Sequence, residues 1–117
     1  MDKYEMQKRA MKLALEVIQL TKKFPACQEG KVVTYQVIKS STSTAANYRA
    51  ACRAKSVKDF ISKLGIVEEE CDETLFWLEF SIEAHLSSTE IVKPLLKEAT
   101  EILKIIIASI KTARSKL

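Results

Sequence analysis

Apolar residues recur along the first part of this chain at alternating intervals of four and three positions. The series is Met6, Ala10, Leu13, Val17, Leu20 and Phe24. This is the heptad spacing of helices that pack side by side in a left-handed bundle, rather than the pattern of a lone surface helix. Pro25 follows the last position, and the pattern predicts that a first helix ends there because proline cannot continue it.

The segment after Pro25 contains Gly30 and predicts a loop up to Val32. Thr34 is then a suitable N-cap for a second helix that runs to about Arg53. The inward-facing positions of this helix are mostly small, namely Val37, Ser41, Ala45, Tyr48 and Cys52. Small side chains let a neighbouring backbone approach closely, and Ser or Thr hydroxyls can bond to the carbonyl one turn earlier.

A third helix is predicted from the S-x-x-D spacing of Ser56 and Asp59, which is a capping signature. Apolar positions then recur over a helix of about 30 residues. They are Phe60, Leu64, Val67, Cys71, Leu75, Leu78 and Ile82. Gly65 lies inside this pattern, where glycine costs about 1 kcal/mol relative to alanine. It marks either a close contact between helices or a position without a special role.

A fourth helix is predicted after Ser87-Ser88-Thr89-Glu90, which supplies a stop and a cap. Pro94 either kinks this helix or lies in its first turn. One seam of the helix comprises Val92, Leu95, Ala99, Ile102, Ile106, Ser109 and Ala113, and a second stripe comprises Leu96, Leu103, Ile110 and Leu117. A four-helix monomer needs one apolar stripe per helix, so the second stripe predicts an interface between subunits of a homo-oligomer.

The composition agrees with an all-α fold of one domain, residues 1–117. The chain is 47% hydrophobic and 29% charged and has two Gly and two Pro, too few for the turns of an all-β protein. We therefore predict an antiparallel up-down four-helix bundle. The N-terminus lacks the apolar region of a signal peptide, and Lys104 and Lys111 interrupt the most apolar run. These features predict a cytoplasmic protein with no membrane partner.

Charge is segmented along the chain. Residues 1–58 hold 12 Lys/Arg and 4 Asp/Glu, residues 59–101 hold 3 and 11, and residues 102–117 hold 4 and none. In an antiparallel bundle, this segmentation either favours one arrangement of helices or subunits, or forms a basic patch that binds a polyanion.

Catalytic chemistry finds little support in the sequence. His85 is the only histidine, and Ile82 stands where a di-iron bundle would need a glutamate. Cys27, Cys52 and Cys71 lack the clustered spacing of a zinc site and are expected to be reduced thiols. The acidic positions Glu68, Glu69, Glu70, Asp72 and Glu73 fit a solvated helix face or a partner for Lys/Arg better than a cation site. We therefore expect no enzyme activity, no cofactor and no metal.

The basic positions are the candidate binding residues. Arg49 and Arg53 are one helical turn apart, Lys55 and Lys58 extend the charge, and Lys8 and Lys12 are expected to join it. Such a face can neutralise phosphates. Tyr48 either stacks on a base or belongs to the core, and Asn47 is expected to be buried and bonded to a neighbouring helix.

Two segments carry a resemblance to a known family. LALEVIQLTKKFP (Leu13 to Pro25) and, after Gln36, STSTAANYRAACRAKSVKDFISKL (Ser41 to Leu64) resemble the bacterial four-helix bundle family of proteins encoded by intervening sequences within 23S rRNA genes. The accessory protein of diversity-generating retroelements is similar to this family too. The resemblance implies an antiparallel four-helix bundle, a homopentameric ring or barrel, binding of RNA or other nucleic acid through a basic surface, and no catalytic residues.

The chain also departs from this family. Many members have Asn-Ile-x-Glu-Gly in the second helix, whereas Tyr48, Arg49, Ala50 and Ala51 follow Asn47 here. Two functional hypotheses result. One is a non-catalytic module that binds nucleic acid through its basic surface. The other is a structural or protein-protein interaction module, an oligomeric ring in which Arg49 and Arg53 pair with Glu69, Glu73 or a neighbouring subunit.

Overall fold

A computed structural model describes residues 2–117 as four helices joined by short turns. The helices are α1 (Lys3–Thr21), α2 (Gln28–Ala51), α3 (Val57–Glu83) and α4 (Thr89–Arg114). Each helix packs against its neighbours in sequence and α4 closes against α1, while the diagonal pairs share no close backbone contact. The result is an antiparallel up-down four-helix bundle of 48 × 22 × 21 Å, which confirms the predicted fold class.

Local capping chemistry sets the starts of α3 and α4 as predicted. The Ser56 hydroxyl accepts a hydrogen bond from the Asp59 amide at 3.0 Å, and the Asp59 carboxylate accepts one from the Lys55 amide at 3.0 Å. The Ser88 hydroxyl accepts from the Ile91 amide at 3.3 Å. These bonds satisfy amides that have no partner inside the first turn of a helix.

The predicted start of α2 is wrong. The helix begins at Gln28 rather than beyond Thr34, and Gly30 lies inside it with ordinary helical geometry. A Cβ atom on Gly30 would lie 2.8 Å from the Pro25 carbonyl oxygen. Gly30 is therefore required by a close approach of the preceding turn and does not mark a loop.

The end of α3 depends on a left-handed residue. His85 has φ 59°, the amide of Leu86 donates to the Ser81 carbonyl at 2.9 Å, and the His85 amide donates to the Ile82 carbonyl at 3.0 Å. This pattern is a Schellman motif, in which the residue after the left-handed position packs on the helix. Leu86 is accordingly buried in the core.

The core runs along the bundle axis and contains residues from all four helices. Its largest fully buried side chains include Leu13, Leu64, Leu78, Ile102 and Ile106. The small polar face of α2 is buried as well, through Ser40, Ser41 and Thr44. Gly65 faces open space, so its interpretation as a close helix contact is wrong.

The second stripe of α4 lies only partly on the surface of the protomer. Leu96 and Leu103 are half-buried against the core, Ile110 is 6% exposed, and Leu117 is 67% exposed. Pro94 lies in the second turn of α4, beyond the first turn. Within the described chain, every helix is too short or too polar to cross a membrane.

Candidate nucleic-acid interface

All six predicted basic residues are exposed, and the fold distributes them over more than one surface of the bundle. Lys8 and Arg49 line a groove between α1 and α2. Lys55 lies in the α2–α3 turn at one end of the bundle, with Arg53 and Lys58 on either side of it in sequence. The predicted set therefore divides between a side groove and an end of the bundle.

Lys12 belongs to neither group. The hydrogen bond from Arg9 is the main cause that holds the pKa of the Glu98 carboxyl in α4 below its usual range. The positive charge of Lys12 lowers that pKa further. Lys12 therefore lies on the side of α1 that faces α4.

The antiparallel topology concentrates positive charge at one end of the bundle. The N-terminus of α1, the α2–α3 turn and the C-terminus of α4 meet there, and Lys3, Lys55 and Lys116 line a single cavity of about 670 Å³. We call this surface the basic end and define it by Lys3, Arg53, Lys55, Lys58 and Lys116. The sequence-based prediction missed Lys3 and Lys116, although the basic segments 1–58 and 102–117 were the signals that could have located them.

The wall of this cavity is largely apolar. It includes Tyr48, Cys52, Phe60, Ile105 and Ser109. Burial raises the pKa of the Tyr48 phenol, and the neighbouring Cys52 thiol adds to the rise. The phenol therefore stays protonated at neutral pH. Tyr48 packs against the core, in agreement with one of its two predicted roles, and it also lines the cavity. Its stacking on a base stays a prediction.

Asn47 differs from the expectation. It is half-buried, and its amide nitrogen donates to the Ser43 carbonyl of its own helix at 2.9 Å. The predicted bond to a neighbouring helix is therefore wrong.

Arg49 and Arg53 do not pair with the acidic residues of α3 inside the described protomer. Between residues 2 and 117, the ion pairs join Arg9 to Glu98 and Glu101, and Lys63 to Asp59. The cause is the register of the α2–α3 hairpin, in which Ser40 lies opposite Thr74. Position 49 then lies opposite position 65, while Glu69 and Glu73 are one and two turns further along α3.

The acidic cluster of α3 faces mostly outward. Glu69, Asp72 and Glu73 are exposed, and burial together with Glu73 raises the pKa of Glu70. No group of three or more His, Cys, Asp or Glu side chains among residues 2–117 is arranged to hold a metal ion.

The three thiols and the histidine differ in their surroundings. Cys71 is buried, with its sulfur 3.4 Å from the Ala99 carbonyl oxygen, and burial raises its pKa to about 12. A thiol with such a pKa is a poor nucleophile at neutral pH. Cys27 and Cys52 are free and half-buried, and His85 lies exposed at the end of α3.

Comparison with known proteins gives a matching protein family and a similar solved structure. The family described as 23S rRNA-intervening sequence protein matches residues 2–108. The chain is also similar to a solved structure from Bacteroides thetaiotaomicron, a protein of unknown function from the S23 ribosomal protein family. The two are 34% identical, with a TM-score of 0.83, over 91% of this chain and 98% of the other. No curated protein matches the sequence.

Proposed function

We propose that this chain, which belongs to the 23S rRNA-intervening sequence protein family, is a non-catalytic homo-oligomeric protein that binds RNA through its basic end. One observation carries the proposal. Lys3, Lys55 and Lys116 come from three distant segments of the sequence and line the same cavity. The fold thus concentrates cations at a concave surface, where phosphates of an RNA backbone would release counterions on binding.

The wall of the cavity adds a second kind of contact. Tyr48 and Phe60 add aromatic side chains to the cavity that the lysines line. Proteins recognise RNA largely at unpaired bases that stack on such side chains. We therefore expect RNA with a looped or single-stranded segment to be preferred, with its phosphates on the lysines and an unpaired base against Tyr48.

Oligomerisation would strengthen this binding. A closed ring repeats the basic end in each subunit, and the family resemblance predicts five subunits. Several weak contacts to one RNA then combine into a higher apparent affinity without any new contact.

Binding to a 23S rRNA hairpin across a salt series tests the proposal. The wild-type affinity should fall steeply with salt, and Lys55→Gln with Lys58→Gln should lower the log-log salt slope by about one to two. The matched control replaces Lys93 and Lys97 by Gln, which removes two exposed charges from the opposite half of α4. Salt-insensitive or absent binding, or an equal loss in the control, would overturn the proposal.

The second candidate function is a structural or protein-protein interaction module. The exposed apolar side chains of α1 and α3, among them Met11, Leu15 and Phe76, favour it. Under this function the protein should assemble or capture a protein partner without a salt-dependent affinity for the hairpin.

A further inference from the structure

Exposed apolar side chains of α1 form a stripe along its outer face. They belong to a series spaced by four and three residues, Tyr4, Lys8, Met11, Leu15, Ile18 and Lys22. Tyr4, Met11 and Leu15 are between 54% and 65% exposed. We call this series the basic stripe, because both of its charged members are lysines.

The outer face of α3 carries a second series with the same spacing, Ile66, Glu69, Glu73, Phe76 and Phe80. Its apolar members are 43%, 53% and 39% exposed. Phe76 and Phe80 lie with ring centroids 6.0 Å apart, and Trp77 contacts both rings. We call this series the acidic stripe, because both of its charged members are glutamates.

No ion pair joins the two stripes inside the described protomer. α1 and α3 are diagonal in the bundle and share no close backbone contact. Single exposed apolar residues need no explanation, but heptad-spaced rows of large ones are typical of helices that pack against another helix. α4 offers no comparable row, because Ile110 is buried and the exposed Ile91 and Ile107 are widely separated.

The heights of the two stripes along the bundle correspond. Leu15 lines the same groove as Thr42, and Ser40, about half a turn from Thr42, bonds to Thr74. With Ser40 opposite Thr74, Thr42 lies opposite position 72, so Leu15 lies within about one turn of the level of Phe76. Two turns nearer the basic end, Lys8 lies within one turn of the level of Glu69.

We infer that the basic stripe of one copy docks on the acidic stripe of a second copy. Because α1 and α3 run in the same direction, a shift of no more than about one turn along the bundle axis places Leu15 against Phe76 and Lys8 against Glu69. The two faces differ, so the interface is head-to-tail, and repetition of it closes a ring or extends a filament. The inference rests on the homo-oligomeric part of the proposed function and not on RNA binding.

A pair of complementary variants tests this inference by light scattering. Leu15→Asp destroys the basic stripe and Phe76→Asp destroys the acidic stripe, so each protein alone should be a monomer of 13.2 kDa. When the two are mixed, the intact acidic stripe of the first meets the intact basic stripe of the second. The mixture should therefore form a one-to-one dimer and nothing larger.

The control is Ile107→Asp, which changes an exposed apolar residue of α4 and should leave the wild-type mass unchanged. Helical circular dichroism checks that every variant folds. A mixture that remains monomeric, or a control that dissociates the oligomer, would overturn the inference. A monomeric wild type at micromolar concentration would also overturn the oligomeric part of the proposed function.

A charge exchange provides a second test that does not depend on the apolar variants. Lys8→Glu and Glu69→Lys should each lower the mass at low salt, and both changes in one chain should restore it. Failure of the combined variant to recover would contradict the pairing. Salt-dependent RNA binding by Leu15→Asp separates the two proposals, since this variant keeps every residue of the basic end.

Discussion

Thr74 of α3 donates a hydrogen bond to Ser40 of α2 across the interior of the bundle, with 2.9 Å between the two hydroxyl oxygens. Both residues are at most 1% exposed. The Ser40 hydroxyl in turn lies 3.3 Å from the Val37 carbonyl oxygen, to which it donates. A polar bond at this depth favours one register of the two helices, because a shift of either helix would break it and leave each buried hydroxyl with only the carbonyl of its own helix.

Thr74→Val should lower the free energy of unfolding by about 1 to 2 kcal/mol, because Ser40 loses its buried donor. Ser40→Ala removes the same bond, so the two changes together should cost less than their sum, by at least about 0.5 kcal/mol. Urea denaturation measures all three variants. The control is Thr42→Val, whose exposed hydroxyl bonds only within α2. Strictly additive losses would show that the bond does not couple the helices.

Leu20 and Leu78 were predicted to be core residues, and both are buried, at 4% and 0% exposure. Replacement of either by Ala should lower the free energy of unfolding by about 2 to 5 kcal/mol, through lost burial and the cavity that remains. Leu117→Ala is the exposed control and should change stability by less than about 0.5 kcal/mol. Thermal and urea unfolding both measure these losses, and equal effects at buried and exposed sites would contradict the described core.

Glu98 should make stability depend on acid pH. The hydrogen bond from the Arg9 guanidinium holds the pKa of Glu98 below its ordinary value of 4.5. A lowered folded-state pKa stabilises the protein above pH 4.5, and this contribution is lost as the pH falls below that value. Glu98→Gln should therefore cost about 0.5 to 1 kcal/mol at pH 7 and almost nothing near pH 3.

The control for this profile is Glu79→Gln, which removes an exposed carboxylate outside the ion pairs of residues 2–117. It should shift stability little at either pH. If the Glu98→Gln penalty persisted unchanged at acid pH, the pair with Arg9 would not be its cause.

His85→Gly should raise the free energy of unfolding by about 0.5 to 1 kcal/mol, because glycine adopts the left-handed conformation without steric cost. His85→Val should lower it, since a β-branched side chain is strained at positive φ. The matched control is Glu83→Gly, two residues earlier at the last helical position of α3, which should destabilise. A loss of stability in His85→Gly would show that a contact of the imidazole stabilises the protein by more than the backbone strain at His85 destabilises it.

Tyr48→Leu should weaken binding of an RNA hairpin with an unpaired loop by about 1 to 3 kcal/mol and leave a fully paired duplex nearly unaffected, because only an unpaired base can stack on the ring. The salt slope should stay unchanged, since no cation is lost. Tyr35→Leu, a 63% exposed tyrosine of α2 outside the end cavity, is the control. An equal loss for hairpin and duplex would exclude stacking at this position.

The starts of α3 and α4 could be predicted from the sequence because a cap depends on residues only three positions apart. Ser56 and Ser88 therefore act as expected. The start of α2 could not be predicted, because Gly30 looks like a loop residue unless the position of Pro25 is known. Whether a glycine breaks a helix or accommodates a neighbour depends on the tertiary structure.

The positive charge of the candidate site could be predicted from the sequence, but the full set of residues that form the site could not. The residues near the α2–α3 turn were found because they are close in sequence. Lys3 and Lys116 joined Lys55 only when the antiparallel packing brought both chain ends to that turn. Ile110 was predicted to lie in a subunit interface on α4, but it lies in the core of the protomer. The spacing of apolar residues along a helix cannot distinguish these two environments.

The contact between α1 and α4 is the least extensive of the four around the bundle, whereas α2 and α3 share the most extensive one. The first and last helices therefore meet along the least extensive interface of the bundle, where Arg9 of α1 pairs with Glu98 of α4. Because α1 has the least extensive contacts, we expect it to open locally before the α2–α3 hairpin does, so that its amide hydrogens exchange with solvent first. A second copy seated on the outer face of α1 would slow that exchange, so the deuterium uptake of this one helix reports whether a neighbouring subunit is bound.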